Sequence, residues 1–114
     1  MYTYNAKLDR VVDGDTVDAT VDLGFDTWKF IRIRLVGINT PECRTRDLEE
    51  KSKGLAAKDF VIDMFEKHNN TFILESQGVG KYGRCLGNIF FGDRNLNDLL
   101  ISEGHATAYF GGKR

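Results

Sequence analysis

Side chains that could handle phosphate or a metal ion fall into three short clusters along this chain of 114 residues. The first is the turn sequence Asp13-Gly14-Asp15-Thr16, whose exposed carboxylates could bind a hard cation. Asp and Gly are also common turn formers, so this cluster taken alone indicates a turn more readily than a metal site.

The other two clusters add guanidinium groups and an acid. One runs from Arg34 to Glu42 and places an arginine a few residues before a glutamate and several oxygen-bearing side chains. The other is Lys81-Tyr82-Gly83-Arg84, with two cations and an aromatic ring at a turn. Phosphoryl transfer uses these parts, because cations and guanidinium groups stabilise charge on the phosphoryl oxygens while a carboxylate positions or activates water.

A nucleotide-binding interpretation of the glycine-rich turn is excluded by its context. Residues Gly78 to Gly83 match the pattern G-x-G-x-x-G, but a dinucleotide site needs a helix to follow. The residues from Arg84 to Phe91 have the pattern of a strand instead. The turn is not a P-loop either, since no Ser or Thr follows Lys81.

Composition limits the protein class. The net charge of −1 argues against coating nucleic acid through a broad positive field, but it permits a few arginines around one phosphate. A hydrophobic fraction of 41% with 8 Phe is enough for one core, so we expect a single domain over residues 1–114. Neither a leader nor a membrane-spanning run is visible, which predicts a cytoplasmic protein.

The cysteines and histidines are not predicted to bind metal. Cys43 and Cys85 match no zinc spacing, and in a reducing cytosol we expect two free thiols. His68 and His105 are isolated in the sequence and are more typical of helix-end or turn residues than of metal ligands.

Hydrophobic periodicity predicts the elements that position the clusters. Three strands come first, over residues 4–12, 17–23 and 28–36. On the third strand Ile33 and Leu35 share one face, while Arg32 and Arg34 share the other. The second and third strands therefore form a hairpin with an arginine-bearing face.

The rest of the chain completes a barrel pattern. We expect a long polar loop over Gly37–Lys53, then one amphipathic helix from Gly54. Two strands follow over residues 71–76 and 85–91, and then a short C-terminal helix that ends at Gly104. Five strands with the main helix between strands 3 and 4 predict an α+β, mainly β fold, a five-stranded OB-fold barrel.

Together the three clusters resemble the thermonuclease family, the staphylococcal nuclease type. The matching stretches are Val12 to Thr16, Arg34 to Glu42, Lys81 to Arg84, and Asn97 to Ala106 before Tyr109. They occur in the family's order, span nearly the whole chain and agree with the predicted barrel.

The resemblance implies a calcium-dependent nuclease. Such an enzyme hydrolyses phosphodiester bonds in DNA or RNA and leaves 3′-phosphate and 5′-hydroxyl ends, and we expect single-stranded DNA or RNA as its substrate. The implied Ca²⁺ ligands are Asp15, Asn39 and the backbone carbonyl of Thr40. No obligate protein partner is implied.

Each remaining site residue also takes a role from the resemblance. Arg34 and Arg84 would bind the scissile phosphate and stabilise its transition state, and Glu42 would orient or deprotonate the attacking water. The implied contacts to the rest of the substrate are Lys81 and Tyr82 with a terminal phosphate and Tyr109 with a base.

Asn39 departs from the family pattern, which has an aspartate there. An amide oxygen can still bind calcium, but the lost negative charge predicts weaker affinity. This change favours an alternative, a non-catalytic OB barrel that binds nucleic acid or a protein partner. The joint presence of Arg34, Glu42 and Arg84 favours the enzyme.

Overall fold

The computed structural model describes residues 2–41, 46–79 and 85–108. The strands are β1 (Tyr2–Asp13), β2 (Thr16–Asp22), β3 (Trp28–Leu35), β4 (Ile38–Asn39), β5 (Thr71–Val79), β6 (Cys85–Phe91), β7 (Arg94–Asn95) and β8 (Thr107–Ala108). The helices are α1 (Leu48–Lys67) and α2 (Leu96–Ser102).

The five long strands form a closed barrel. The sheet order is β3-β2-β1-β5-β6-β7, with antiparallel neighbours, and a parallel pairing between β3 and β6 closes it. That closing pair joins residues 33–35 of β3 to residues 85–87 of β6. The predicted OB-type barrel is confirmed, and α1 lies between the third and fourth long strands, as expected.

Strand alternation fills the core and turns the arginines outward. Val17, Ile33 and Leu35 are completely buried, whereas Arg32 is exposed and Arg34 is only partly covered. Helix α1 closes one side of the core, where Phe65 makes edge-on contacts with the rings of two strand residues. The arginine-bearing face is therefore confirmed.

Helix α1 begins earlier than predicted. The expected end of the loop from Gly37 to Lys53 is wrong, because the helix already starts at Leu48, and the loop also contains the two-residue strand β4. The Asp47 side chain accepts hydrogen bonds from the backbone amides of Glu49 and Glu50, at 3.0 and 3.3 Å, and caps the helix. The polar first turns hid this start, although an aspartate followed by two acids is a cap signal. Within the described ranges, no helix is both long and apolar enough to span a membrane.

Strand β5 is also longer than predicted. It continues past Ser76 to Val79, through Gly78 at a φ of +122°. A register shift against β6 lies between Ser76 and Gly78, where an irregular conformation suits glycine. The remainder of the predicted glycine-rich turn, residues 80–84, lies outside the described residues.

The turn between β2 and β3 has an unusual backbone. Gly24, Phe25 and Asp26 have φ values of +83°, +54° and +58°. For residues other than glycine this conformation costs about 1 kcal/mol or more. Phe25 is fully exposed, so its ring gains no burial within the described chain that would offset the cost of this backbone conformation.

A buried asparagine connects α2 to the barrel. The Asn97 side-chain amide donates to the carbonyls of Val36 and Gly87, at 2.8 and 3.3 Å. Its side-chain oxygen accepts from the Ile89 amide at 3.3 Å. These bonds satisfy buried backbone groups of β6 and of the segment after β3. They fix β6 and the end of β3, which carries Arg34.

Candidate functional site

The turn between β1 and β2 holds Asp15 in a buried position. The Asp15 carbonyl accepts from the Leu35 amide at 2.8 Å, which attaches the turn to β3. Its carboxylate accepts from the Thr16 hydroxyl at 3.1 Å and from the Thr40 amide at 3.3 Å. The carboxylate is therefore oriented by both the following strand and the segment after β4.

Gly14 lets this turn lie close to α1. A Cβ atom at this position would be 2.9 Å from the Ala57 Cβ and 3.1 Å from the Thr40 Cγ2. Neither neighbour belongs to the flexible end of a long side chain, so a larger residue would push α1 or Thr40 away. The sequence predicts a turn here, and the structure adds that glycine keeps Asp15 beside Thr40.

Arg34 lies at the centre of the site. Its Nη1 donates to the Leu35 carbonyl at 2.7 Å, and its Nη2 donates to the Ile38 carbonyl at 2.9 Å and to Asn39 Oδ1 at 2.7 Å. The same Nη2 lies 3.4 Å from Asp15 Oδ2. The structure thus brings together four of the sequence-predicted residues, Asp15, Arg34, Asn39 and Thr40.

The Arg34 guanidinium is held but still reachable. Its side chain is 14% exposed, and two backbone carbonyls, an amide oxygen and a carboxylate fix its plane. These contacts use both N–H groups of Nη2 and one of Nη1, so a phosphate would meet a guanidinium whose plane is already set, with little loss of side-chain freedom. Its positive charge and the negative charge of Asp15 cancel within the described site.

The donor atoms suit a hard cation. They are the Asp15 carboxylate, the Asn39 amide oxygen and Thr40, and oxygen ligands of this kind bind calcium. The Thr40 hydroxyl oxygen is buried and has no hydrogen-bond partner in the described part of the chain. Buried hydroxyl groups normally have a partner, so this oxygen is suited to a ligand.

The fit is nevertheless short of negative charge. The described ranges contain no group of three His, Cys, Asp or Glu that could hold a metal ion. The Asp15 carboxylate is also paired with Arg34. The residues fit a cation by donor type, but a bound cation would need negative charge from further groups.

The Thr40 hydroxyl was missed at the sequence level, where only its backbone carbonyl was proposed as a ligand. Its burial depends on packing between elements distant in sequence, and no local pattern signals that. The other predicted site residues lie outside the described residues: Glu42, Lys81, Tyr82, Arg84 and Tyr109. Their roles stay predictions.

A second group of charges lies on the outer face of the barrel. The buried carboxylate of Asp18 accepts from Arg32 Nε at 2.8 Å and from Arg10 Nε at 3.1 Å. The hydrogen bond from Arg32 is the main reason that the pKa of Asp18 lies below 3.8, although burial opposes this shift. Asp18 in turn raises the pKa of Arg32. Asp13 also acts on Arg32, so the two arginines and the two aspartates together carry no net charge.

The cysteine and histidines that the structure describes do not belong to this site. Cys85 is a free thiol that packs against the core, as strand alternation predicts. His68 caps the C-terminus of α1 and stacks on Phe91, and His105 follows α2. The prediction that each histidine is a helix-end or turn residue is confirmed. Cys43 lies outside the described residues.

Comparisons with known proteins place this geometry in a family context. Residues 32–114 match the family described as staphylococcal nuclease homologue. The chain is 34% identical over 101 residues to a thermonuclease of Staphylococcus intermedius, covering 89% of this chain and 57% of that protein. It is 30% identical over 104 residues to a thermonuclease of Staphylococcus hyicus, covering 91% and 59%.

A third relative is the protein ParB of Escherichia coli, 30% identical over 109 residues, with 88% of this chain and 54% of that protein covered. The chain therefore spans between 54% and 59% of the length of these three relatives. The similarity extends over most of this chain, and the family match includes Arg34, Asn39 and Thr40 but begins after Asp15.

The Asp18 cluster predicts how stability depends on pH. Because the pKa of Asp18 is lower in the folded protein than in the unfolded chain, the cluster stabilises the fold above about pH 3.8. This stabilisation is lost as the pH falls through the folded-state pKa. The difference in unfolding free energy between the wild type and Asp18→Asn should therefore be largest near neutral pH and shrink on acidification.

Urea unfolding of both proteins, from neutral pH down to about pH 3, measures this difference. Asp59→Asn is the matched control, since it removes a carboxylate from an exposed position of α1. A difference for Asp18→Asn that stays constant over the whole pH range would contradict the role of this cluster.

Proposed function

The chain belongs to the staphylococcal nuclease family, and from this membership and the geometry of the site we propose that it hydrolyses phosphodiester bonds in nucleic acid. One observation carries the proposal. Asp15, Asn39 and two backbone carbonyls hold the Arg34 guanidinium at a surface, beside the unpartnered hydroxyl of Thr40. The proposed substrates are single-stranded DNA or RNA. A cytoplasmic location stays a prediction.

Arg34 binds and stabilises the phosphate that is cleaved. Negative charge develops on the phosphoryl oxygens during transfer, and a guanidinium that is already oriented stabilises it without reorganisation. Lysine cannot replace this group, because an ammonium lacks the planar set of donors that reaches the Leu35 and Ile38 carbonyls and Asn39 together.

Arg84 and Glu42 supply the other proposed catalytic groups. Arg84 directly precedes Cys85, which pairs with Ile33 next to Arg34, so the chain order supports a second guanidinium near the same phosphate. Glu42 follows Thr40 by two residues. A water oxygen attacks phosphorus while Glu42 accepts its proton. The bond from phosphorus to the 5′ oxygen breaks, the leaving 5′ oxygen takes a proton from solvent water, and Glu42 returns its proton to solvent, which leaves a 3′-phosphate and a 5′-hydroxyl.

The proposed substrate contacts lie farther along the chain. Lys81 and Tyr82 contact a terminal phosphate of the bound nucleotide, and Tyr109 lies along a base. An aromatic ring beside a base tolerates all four bases, because each base has a π-face. The proposed site therefore selects for phosphate and an unpaired base, with little dependence on sequence.

Calcium is the proposed cation, held by Asp15, Asn39 and Thr40. When bound, it supplies positive charge that polarises the phosphate. Because the charge of Asp15 is balanced by Arg34, the affinity depends on negative charge from Glu42 or the substrate. Nucleic acid and calcium should accordingly increase each other's affinity.

A second candidate function is binding without cleavage. It is favoured by Asn39, a neutral residue at a proposed metal position, and by the pairing of Asp15 with Arg34. A barrel of this kind would bind single strands equally well with calcium or a chelator and would leave them intact.

Replacing Asn39 tests the metal position. Asn39→Asp restores a negative charge at an oxygen ligand, so calcium should bind more tightly than to the wild type, even though Arg34 contacts the same oxygen. Titration calorimetry with calcium measures the affinity. Asn5→Asp on β1 adds the same charge at an exposed position and serves as the control. Equal or weaker binding by Asn39→Asp would refute the assigned metal role.

Replacing the other two catalytic groups tests the chemistry. Glu42→Gln and Arg84→Ala should each lower the turnover of single-stranded DNA by about 100-fold or more, since each removes a group that acts on the transition state. Circular dichroism melting should change little. The control is Arg94→Ala, which removes an exposed arginine of β7. Full activity of Glu42→Gln would eliminate its role in activating water.

A further inference from the structure

The outer face of β3 presents rings and guanidinium groups in one row. Because Ile31, Ile33 and Leu35 point towards the core, the alternate residues point away from it. The row of outward residues, in chain order, is Trp28, Phe30, Arg32 and Arg34. Two aromatic side chains thus precede two arginines, and the second arginine is the centre of the candidate site.

Both rings are largely uncovered. Trp28 is 50% exposed and Phe30 is 64% exposed, although large aromatic side chains usually dominate buried cores. In the described part of the chain, residues 28–32 of β3 pair only with β2, while residues 33–35 also pair with β6. The rings lie on the half of the strand that precedes the barrel closure. At the adjacent turn, Phe25 is fully exposed as well.

Cations lie at both ends of this row. Towards the candidate site, Arg32 and Arg10 both contact Asp18, and their side chains stay 45% and 62% exposed. Asp13 also acts on Arg32, so these guanidinium groups offer exposed donors without a net positive charge. At the other end Trp28 borders a surface groove whose described ionisable lining residues are Lys7, Lys67 and His68, without any carboxylate.

Two carboxylates lie near the hairpin turn. Asp22 pairs with Trp28 across the hairpin and accepts a hydrogen bond from the Gly24 amide at 2.8 Å, and Asp26 lies in the turn itself. These negative charges disfavour phosphate at the turn between β2 and β3. The ring of Phe25 is exposed at the same turn. The surface therefore favours a ligand that places neutral flat groups on the rings and anionic groups on the cations at either end.

We propose that this face of β3 binds single-stranded nucleic acid and leads it to Arg34. Trp28 and Phe30 stack on unpaired bases, while Arg32 contacts the backbone between them and the candidate site. The proposal deepens the proposed function and rests on it, since it takes Arg34 as the residue that binds the cleaved phosphate. Trp28 and Arg34 are six positions apart along the strand, a distance of about 20 Å.

Base stacking gives this surface a preference. Stacking tolerates any base but needs bases that are free of a partner strand. Duplex nucleic acid keeps its bases stacked on one another and offers only its backbone and grooves to the rings. The face of β3 therefore selects single strands that are long enough to reach Trp28, about six nucleotides at stacked spacing.

Trp28 is the only tryptophan in the chain, so its fluorescence reports on the ring directly. An oligothymidylate of about 12 nucleotides, twice the spanning length, is titrated into the full chain with a chelator present. The single strand should quench Trp28 saturably, and the same strand annealed to its complement should not.

Variants test whether the rings supply affinity. Trp28→Ala and Phe30→Ala should each weaken single-strand binding by roughly 5-fold to 100-fold in fluorescence anisotropy. The control is Tyr2→Ala, which removes a 72% exposed ring from β1. Tyr2 lies on the same face of β1 as the buried Ala6, and so on the opposite side of the sheet from the outward row of β3. This control should bind like the wild type, and circular dichroism should show all three variants folded.

The outcomes separate this inference from the proposed function. If the wild type hydrolyses single strands but Trp28 is not quenched and the variants bind normally, the inference is wrong and the nuclease stands. If Trp28 is quenched and the variants bind weakly but no substrate is cleaved, the binding surface stands without the nuclease. If Trp28→Ala instead abolishes a dimer in sedimentation without changing binding, the surface joins two copies of the chain and the inference is wrong.

Discussion

The contacts of the Arg34 guanidinium are the constraint on which the rest of the site depends. Four oxygen atoms surround it, from Asp15, Leu35, Ile38 and Asn39, at distances between 2.7 and 3.4 Å. They come from the turn before β2, the end of β3 and β4, so one side chain joins three segments. Burying a carboxylate is costly unless it is paired, and this arginine pairs with the buried Asp15.

The barrel supplies the rigidity that these contacts need. Closure between β3 and β6 fixes the end of β3 where Arg34 lies, and Asn97 satisfies the carbonyls on either side of that junction. Gly14 allows α1 to lie close to the turn that carries Asp15. A site held by a closed sheet and a packed helix keeps its donors in place without a substrate, which is what electrostatic stabilisation requires.

The fold was predictable where local patterns carry it. Alternation along β2 and β3 placed the core face and the arginine face correctly, because strand geometry alone decides both. The start of α1 was misplaced, since its first turns are polar and its cap at Asp47 is a short signal. Gly78 likewise resembled a turn residue although it lies within β5.

The residue types of the candidate site could be predicted from the sequence, but the pairing of its positive and negative charges could not. Order along the chain and family resemblance named Asp15, Arg34, Asn39 and Thr40, and the structure brings them together. The pairing of Asp15 with Arg34 and the unpartnered hydroxyl of Thr40 arise from contacts between separate elements. The pairing of Asp18 with Arg32 also depends on strand register, which the sequence pattern does not specify.

Identification of the ends left on a single-stranded DNA substrate tests the central claim most directly. The purified protein is incubated with the strand in calcium or in chelator, and the fragments are analysed for terminal phosphate. Hydrolysis around Arg34 predicts fragments with 3′-phosphate and 5′-hydroxyl ends in calcium and an intact strand in chelator. An intact strand under both conditions, with binding retained, would contradict the nuclease and support the binding barrel.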